Sequence, residues 1–371
     1  MHDLSGNDLD RYSKSLLAIL VVIVVLGVIM VYSASYIYAK ELFFDSAYFL
    51  KKQLFFTVIA GMFAWLVSKT KIKFWIKYAF FFNIFCTTIL FLTFIPGVGV
   101  NVKGASRWIN IGFINFQPGE FIKISLLLAS IYFFEKFKFM KRGEIVKNVV
   151  FLLLPMIFLL KQPDFGTFLI CLLVVLFSAF MSSFPKKYFY FISSLGFSLI
   201  FLTLFIQPYR VKRILAFLDP WKNAKTSGFQ IIQSYLAFAN GSFWGAGLGN
   251  SKEKLFYLPE AHNDFIFSVV GEELGFLGIV FTISLFLLFI YCGLKLAVRC
   301  RDRWSTLLIS SIVFIIGLQV VINMGVVMGV LPTKGLNLPF ISYGGSSMVA
   351  NFFAVGLVLS SVRYCKSFEK M

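Results

Sequence analysis

Apolar runs of about 20 residues recur along the whole chain, separated by short polar stretches, and that is the length a helix needs to cross a bilayer. Ten such runs are expected, at roughly 15–36, 52–68, 75–96, 119–135, 146–161, 164–183, 187–206, 263–295, 304–330 and 344–363. They are continuous rather than alternating, which argues against a transmembrane barrel. The fifth and sixth are joined only by Gln162-Pro163-Asp164, a tight re-entry. The longest break, 207–262, is semi-polar and carries amphipathic pieces such as Gly228-Phe-Gln-Ile-Ile-Gln-Ser-Tyr235. These predict half-buried helices lying at the membrane interface. No internal repeat is evident. The expected fold is an all-α polytopic membrane protein of one domain over 1–371, with an N-terminal tail at 1–14.

Composition agrees. The 371 residues are 59% hydrophobic and 19% aromatic, with 48 Phe. The mean hydropathy of +0.84 lies outside the soluble range. Net charge is +18, a value that raises nucleic-acid binding. The basic residues are instead scattered between the apolar runs, so no nucleic acid is expected, and they read as topology signals. Lys69, Lys71 and Lys73, then Lys136, Lys138, Lys141 and Arg142, then Lys186 and Lys187, then Lys295, Arg299, Arg301 and Arg303 fall on one side of a ten-span chain, with Arg363 and Lys366. The charge rule makes that side, and both termini, cytoplasmic. The first apolar run has no small-residue cleavage site, so it is expected to stay as an anchor. The five cysteines show no CxxC spacing, and neither a zinc site nor a disulfide framework is expected.

The opposite face holds 207–262, which is itself basic: Arg210, Lys212, Arg213, Lys222, Lys225, Lys252 and Lys254. Contact with anionic membrane lipids is one reason. An anionic substrate handled at the outer leaflet, its phosphate clamped by Arg and Lys, is the other. The stretch Leu258-Pro-Glu-Ala-His-Asn-Asp264 then places a carboxylate at the mouth of an apolar run. A charge at that boundary is costly, so Asp264 marks a functional site by default. Its alternative is a helix N-terminal residue that steadies the first turn.

Five segments read together. They are Gly104-Ala-Ser-Arg-Trp-Ile109 with Phe116-Gln-Pro-Gly-Glu120; Gln162-Pro-Asp-Phe-Gly-Thr167; and Tyr209-Arg-Val-Lys-Arg213 with Phe217-Leu-Asp-Pro-Trp221. The fourth runs from Gly245-Ala-Gly-Leu-Gly-Asn250 through Asp264 to Gly271-Glu-Glu-Leu-Gly275, and the fifth from Leu331-Pro-Thr-Lys334 to Tyr343-Gly-Gly-Ser-Ser347. Over nearly its whole length the chain resembles the SEDS family (shape, elongation, division and sporulation). Pro332-Thr-Lys-Gly335 and Ser251-Lys-Glu-Lys254 favour its division branch over the elongation branch. Gly119, Phe165, Asn263 and Asn337 depart from the usual residues, and none of these departures removes an ionisable group.

The resemblance implies an activity: polymerisation of lipid II into glycan strands at the outer face of the bacterial cytoplasmic membrane, at the septum. It also implies a class B penicillin-binding protein of the FtsI type and other division-complex proteins as partners, and a divalent cation, Mg2+ or Mn2+. Such a reaction needs a base near the acceptor hydroxyl and positive charge near a leaving pyrophosphate. The resemblance carries a required aspartate onto Asp264. Asp264 and Glu260 are the candidate metal ligands, and His262 is placed to orient Asp264 or to hold a helix start. Arg107, Arg210, Arg213 and Lys334 are the pyrophosphate candidates. Glu120 and Lys123 share one helix face and are expected to pair, with a cavity-lining role as the alternative. Glu272 and Glu273, two turns below Asp264, are expected to be structural. A lipid II flippase and a non-enzymatic scaffold are the competing functions; Gly- or Pro-broken helices in matching halves, the transporter signature, are not expected.

Overall fold

The computed structural model describes residues 6–102, 105–112, 114–206, 208–226, 228–252 and 261–369. The chain opens with α1 (Gly6–Phe43) and α2 (Tyr48–Lys69), and the third apolar run divides into α3 (Ile72–Lys77) and α4 (Ala79–Leu92). Three short strands follow: β1 (Gly99–Val102), β2 (Ala105–Ile111) and β3 (Ile114–Phe116). Then come α5 (Pro118–Lys136), α6 (Arg142–Lys161), α7 (Phe165–Met181) and α8 (Lys186–Ile206). The long break holds α9 (Pro208–Leu218) and α10 (Phe229–Gly241), and α11 (Ile266–Arg299), α12 (Arg303–Val327) and α13 (Gly345–Glu369) complete the bundle.

Every predicted apolar run falls on a helix. Among the described residues six helices, α1, α2, α6, α11, α12 and α13, are long and apolar enough to cross a membrane, and α4 and α7 are shorter apolar helices. The amphipathic pieces of the long break are helices, as their periodicity predicts. The all-α expectation needs one correction. The strands form an antiparallel sheet in the order β1-β2-β3, pairing Val100 with Trp108 and Asn110 with Asn115. Strands of 3 to 7 residues are too short to announce a two-residue period.

Two apolar cores share α5. Ile124, Leu127, Leu128 and Ile131 belong to a core with α1, α11, α12 and α13. Ile122, Leu126, Ala129 and Phe133 belong to a second core with α4, α6 and α7. A helix buried on every side fixes its polar residues firmly, and α5 begins with Glu120 and Lys123.

The sequence shows one continuous run at 263–295, but α11 is broken at Gly275 (φ 66°, ψ −163°). The carbonyls near the break accept from a neighbouring loop: Ala246 N–H donates to Glu272 O at 2.9 Å and Gly247 N–H to Glu273 O at 3.0 Å. Phe276 N–H donates back to Ser242 O at 3.0 Å. Backbone in a bilayer must be satisfied internally, and this splice does so. It needs glycine, since a Cβ on Gly275 would lie 2.3 Å from Gly245 N. Glu272 and Glu273 are structural, as expected: Lys252 N–H and the Ser251 hydroxyl donate to Glu272, and Ser33 on α1 donates to Glu273 at 2.5 and 2.7 Å.

Contacts sort the loops into two ends. At one end Arg299 pairs with Asp8 at 3.0 Å, Lys366 with Asp10, and Arg303 with Glu135 at 3.4 Å. This is the set of basic loops and termini that the charge pattern grouped. The same end corrects the cysteine expectation. Cys300 and Cys365, 65 residues apart, form a disulfide, a pairing that spacing cannot reveal. At the other end Gln162 donates to Thr93, Arg107 to Pro163 O, Arg213 to Thr333 O and Ser342 to Asn263 O.

Candidate active site

A cavity of about 1170 Å³ opens at this second end, walled by β2, the starts of α5 and α7, the end of α6, α9, the turn before α11 and the loop after α12. Asp264 sits on one wall, half-buried. It lies one residue ahead of Phe265, the capping residue of α11, whose own side chain makes no cap hydrogen bond. Its turn is held from below. Asn323 on α12 donates to Asp264 O at 2.8 Å and to Leu336 O at 2.6 Å. Tyr343 N–H donates to His262 O at 3.0 Å, and the Ser342 hydroxyl to Asn263 O at 2.7 Å. The loop that carries Lys334 is therefore tied to the turn that carries Asp264. Gly335 is where the two touch, since a Cβ there would stand 2.8 Å from Asp264 Oδ2.

The lining is rich in cations. Arg107, Arg210, Arg213 and Lys334 all line the cavity. Arg107 donates to Pro163 O at 2.8 Å and Arg210 to Thr203 O at 2.6 Å, while Arg213 reaches Thr333 O at 3.3 Å. Arg210 and Lys334 both stand over the ring of Phe165. Burial pushes the Lys334 amine down to about 8, and the nearby Arg210 guanidinium adds to the shift. Lys52 and Lys161 also line the cavity and escaped the sequence reading. The signals were the place of Lys161 one residue before the Gln162-Pro163-Asp164 re-entry and that of Lys52 in the Lys51-Lys52-Gln53 stretch that opens the second apolar run.

Of the acidic candidates, Glu120 reaches the cavity but is bound to Lys123 at 2.7 Å, both buried. The expected pairing holds, and Lys123 is not among the lining residues. Asp164 also lines the cavity, and its carboxylate caps α7 by accepting from Thr167 N–H at 3.3 Å and Thr167 Oγ1 at 2.9 Å. His262 is not brought to the cavity. It is buried against Phe49, Tyr38 and Tyr343, with ring centroids 4.5, 5.8 and 5.7 Å away. Glu260 lies outside the described residues. Among those residues no cluster of three metal-ligating groups occurs. Glu120 and Asp164 are engaged by Lys123 and Thr167, and Asp264 lines the same cavity as the cations. A single carboxylate suits Mg2+ or Mn2+ shared with substrate phosphates, since Mg2+ is usually held that way rather than in an all-protein cage.

Comparison with known proteins gives one result throughout. The profile of a cell cycle protein family, FtsW/RodA/SpoVE, matches residues 13–367. A probable peptidoglycan glycosyltransferase FtsW of Geobacter sulfurreducens is 40% identical over 361 residues, 96% of each chain. Stage V sporulation protein E of Bacillus subtilis is 36% identical over 367 residues, covering 96% of this chain and 99% of that one. Among solved structures, a peptidoglycan synthase complex described as coordinating polymerization and crosslinking contains a chain that superposes with a TM-score of 0.74 at 29% identity, covering 94% of this chain and 97% of that one. The rod shape determining protein RodA of Thermus thermophilus superposes with a TM-score of 0.68 at 26% identity, covering 94% and 95%.

Proposed function

Because the chain belongs to the FtsW/RodA/SpoVE family of cell cycle proteins, we propose that it is a peptidoglycan glycosyltransferase that polymerises lipid II during division. The observation that carries the proposal is that Asp264 lines one cavity together with Arg107, Arg210, Arg213 and Lys334. In this reaction a bond forms between the acceptor sugar's 4-oxygen and the donor's anomeric carbon. The bond from that carbon to the diphosphate oxygen breaks, and its electron pair leaves with undecaprenyl pyrophosphate. Asp264 accepts the acceptor hydroxyl's proton as general base while the acceptor oxygen attacks from the face opposite the leaving group, so the anomeric centre inverts. The cations hold the diphosphate; guanidinium matches phosphate oxygens bidentately and Lys334 supplies a point charge. A divalent cation, held by Asp264 together with the diphosphate, would supply further positive charge where negative charge develops.

In this reading the ten helical runs all span the membrane, the basic end faces the cytoplasm and the cavity opens at the outer leaflet, where lipid-linked sugars are anchored. The partner is a class B penicillin-binding protein, the site of action the septum. A second reading, lipid II flipping, draws on the break in α11 at Gly275, because transporters use discontinuous helices. A cavity built from the segments of one end favours the enzyme.

The test is polymerisation of lipid II by the purified chain with its cognate penicillin-binding protein and Mg2+, comparing native protein with Asp264→Asn. Loss of general-base catalysis predicts a drop of about 10²- to 10⁴-fold with complex formation unchanged. Undiminished polymer from the variant removes Asp264 as the base. No polymer from a folded native complex turns the assignment to flipping or scaffolding.

A further inference from the structure

Phe165 is the first residue of α7, and its side chain lines the cavity although it is only 7% exposed. Two cations from different elements stand over this one ring. The Arg210 guanidinium, from α9, lies 4.7 Å from the ring centroid, and the Lys334 ammonium, from the loop after α12, lies 4.7 Å from it. Both have lost most of their water: Arg210 is 6% exposed, and burial lowers the Lys334 amine. Two like charges brought this close repel each other, and a carboxylate between them is the common remedy. Among the described residues no carboxylate lies within ion-pair distance of Lys334. The carboxylates at the starts of α5 and α7 serve Lys123 and Thr167. A carboxylate would also neutralise the pair and repel an incoming anion.

An aromatic face does neither. Its quadrupole attracts cations, more strongly when they are desolvated, and it accepts no proton and carries no net charge. The N–H donors of a cation resting on a ring stay available at its edges. We propose that Phe165 is a positioning residue whose ring holds Lys334 and Arg210 side by side, still cationic, as a preassembled seat for the diphosphate of a lipid-linked sugar. The proposal rests on the glycosyltransferase reading for its ligand and on ring geometry for its mechanism. It explains how three segments remote in sequence, α7, α9 and the loop after α12, meet in one register. It also assigns the ring a duty that apolar bulk alone does not fulfil, so leucine is the informative replacement.

The experiment uses the full chain with its penicillin-binding partner and compares Phe165→Leu, Phe165→Trp, Lys334→Ala and the Phe165→Leu/Lys334→Ala double variant. Phe165→Leu raises KM for lipid II by about two- to thirtyfold, the range that cation–π contacts span, and changes kcat far less. Phe165→Trp, which keeps a ring face, restores KM to within about twofold. In the Lys334→Ala background the leucine substitution costs less than in the native chain, because only the Arg210 contact remains to be lost. An unchanged KM in Phe165→Leu, or effects of Phe165→Leu and Lys334→Ala that simply add, overturns the proposal. Undecaprenyl pyrophosphate binding, measured by calorimetry without turnover, separates the two claims. Weaker binding by Phe165→Leu with tryptophan rescue upholds the ring's role even if the native complex makes no polymer, in which case only the glycosyltransferase reading fails. Equal binding by the native and leucine proteins, at equal melting temperature, overturns the ring's role whatever the polymer yield.

Discussion

Lys334 carries a pH signature that separates it from the arginines around it. Its amine titrates near 8 rather than at its ordinary 10.5, because burial and Arg210 disfavour the charged form. It is therefore largely charged at neutral pH and loses its charge as pH rises through about 8. An anionic substrate binds the charged form, so kcat/KM for lipid II is expected to fall across that window. A bound diphosphate raises the amine's pKa again, which places the corresponding limb of kcat at higher pH. Lys334→Arg is expected to move the alkaline limb of kcat/KM upward or remove it, since guanidinium keeps its charge. A pH profile of the two proteins checks this, and superimposable profiles would remove Lys334 from the binding step. Asn323 is the other residue that single-site work should probe. Its amide holds Asp264 O and Leu336 O together, and Asn323→Ala leaves both buried carbonyls without that donor. A loss of about 1–3 kcal/mol per unsatisfied group is expected, read as a lower melting temperature, together with slower polymerisation as Asp264 loses register.

The broken helix is the element on which the site's geometry depends. The upper part of α11 carries the Asp264 turn, and the lower part packs in the bundle core against α1 and α12. Between them the loop at 242–247 supplies and receives backbone hydrogen bonds around Gly275. Gly275→Ala introduces a Cβ at a positive φ, 2.3 Å from Gly245 N. Backbone strain of this kind costs about 1–3 kcal/mol before the clash is counted, so the variant is expected to lose thermal stability and polymerise slowly. Glu272→Ala separates the splice from the loop anchor. It removes the acceptor for Lys252 N–H and the Ser251 hydroxyl but leaves the Gly275 conformation intact. Faster proteolysis at 242–252 with a smaller fall in melting temperature than Gly275→Ala is the expected outcome.

Across the whole molecule, the two ends differ in chemistry as well as position. One collects Asp8, Asp10, Arg299, Arg303 and Lys366; the other holds the cavity. In the proposed orientation a cysteine placed at Lys222, on the cavity end, reacts with a membrane-impermeant maleimide added to spheroplasts, and one placed at Lys138 does not. Background labelling is low, because Cys86, Cys171 and Cys292 are buried and Cys300 is bonded to Cys365. That bond and a cytoplasmic assignment pull in opposite directions, since cytosolic thiols are kept reduced. Charge has the greater weight here, as four loops and the C-terminal segment agree on the side. Labelling at Lys138 but not at Lys222 would reverse the assignment.

The helical framework is legible in the chain alone, because a segment that satisfies its backbone within itself and sheds water leaves a long apolar signature, and each of the ten apolar runs falls on a helix. The sequence also marked Asp264 as a candidate, a charge at a membrane boundary that a helix start could equally explain until the family resemblance is added, and it grouped the basic loops at one end. What only the tertiary structure decided is which polar residues meet. Glu120 and Asp164 line the same cavity as Asp264, yet one is committed to Lys123 and the other to Thr167. His262, two residues from Asp264, turns away into Tyr38, Phe49 and Tyr343. Lys52 enters the cavity from the start of an apolar run, and Phe165 gathers Arg210 and Lys334 from segments 45 and 169 residues away in sequence. The β-hairpin residues, the break at Gly275 and the Cys300–Cys365 bond were hidden for the same reason. Each depends on what a distant segment places against it, and local periodicity carries no record of that.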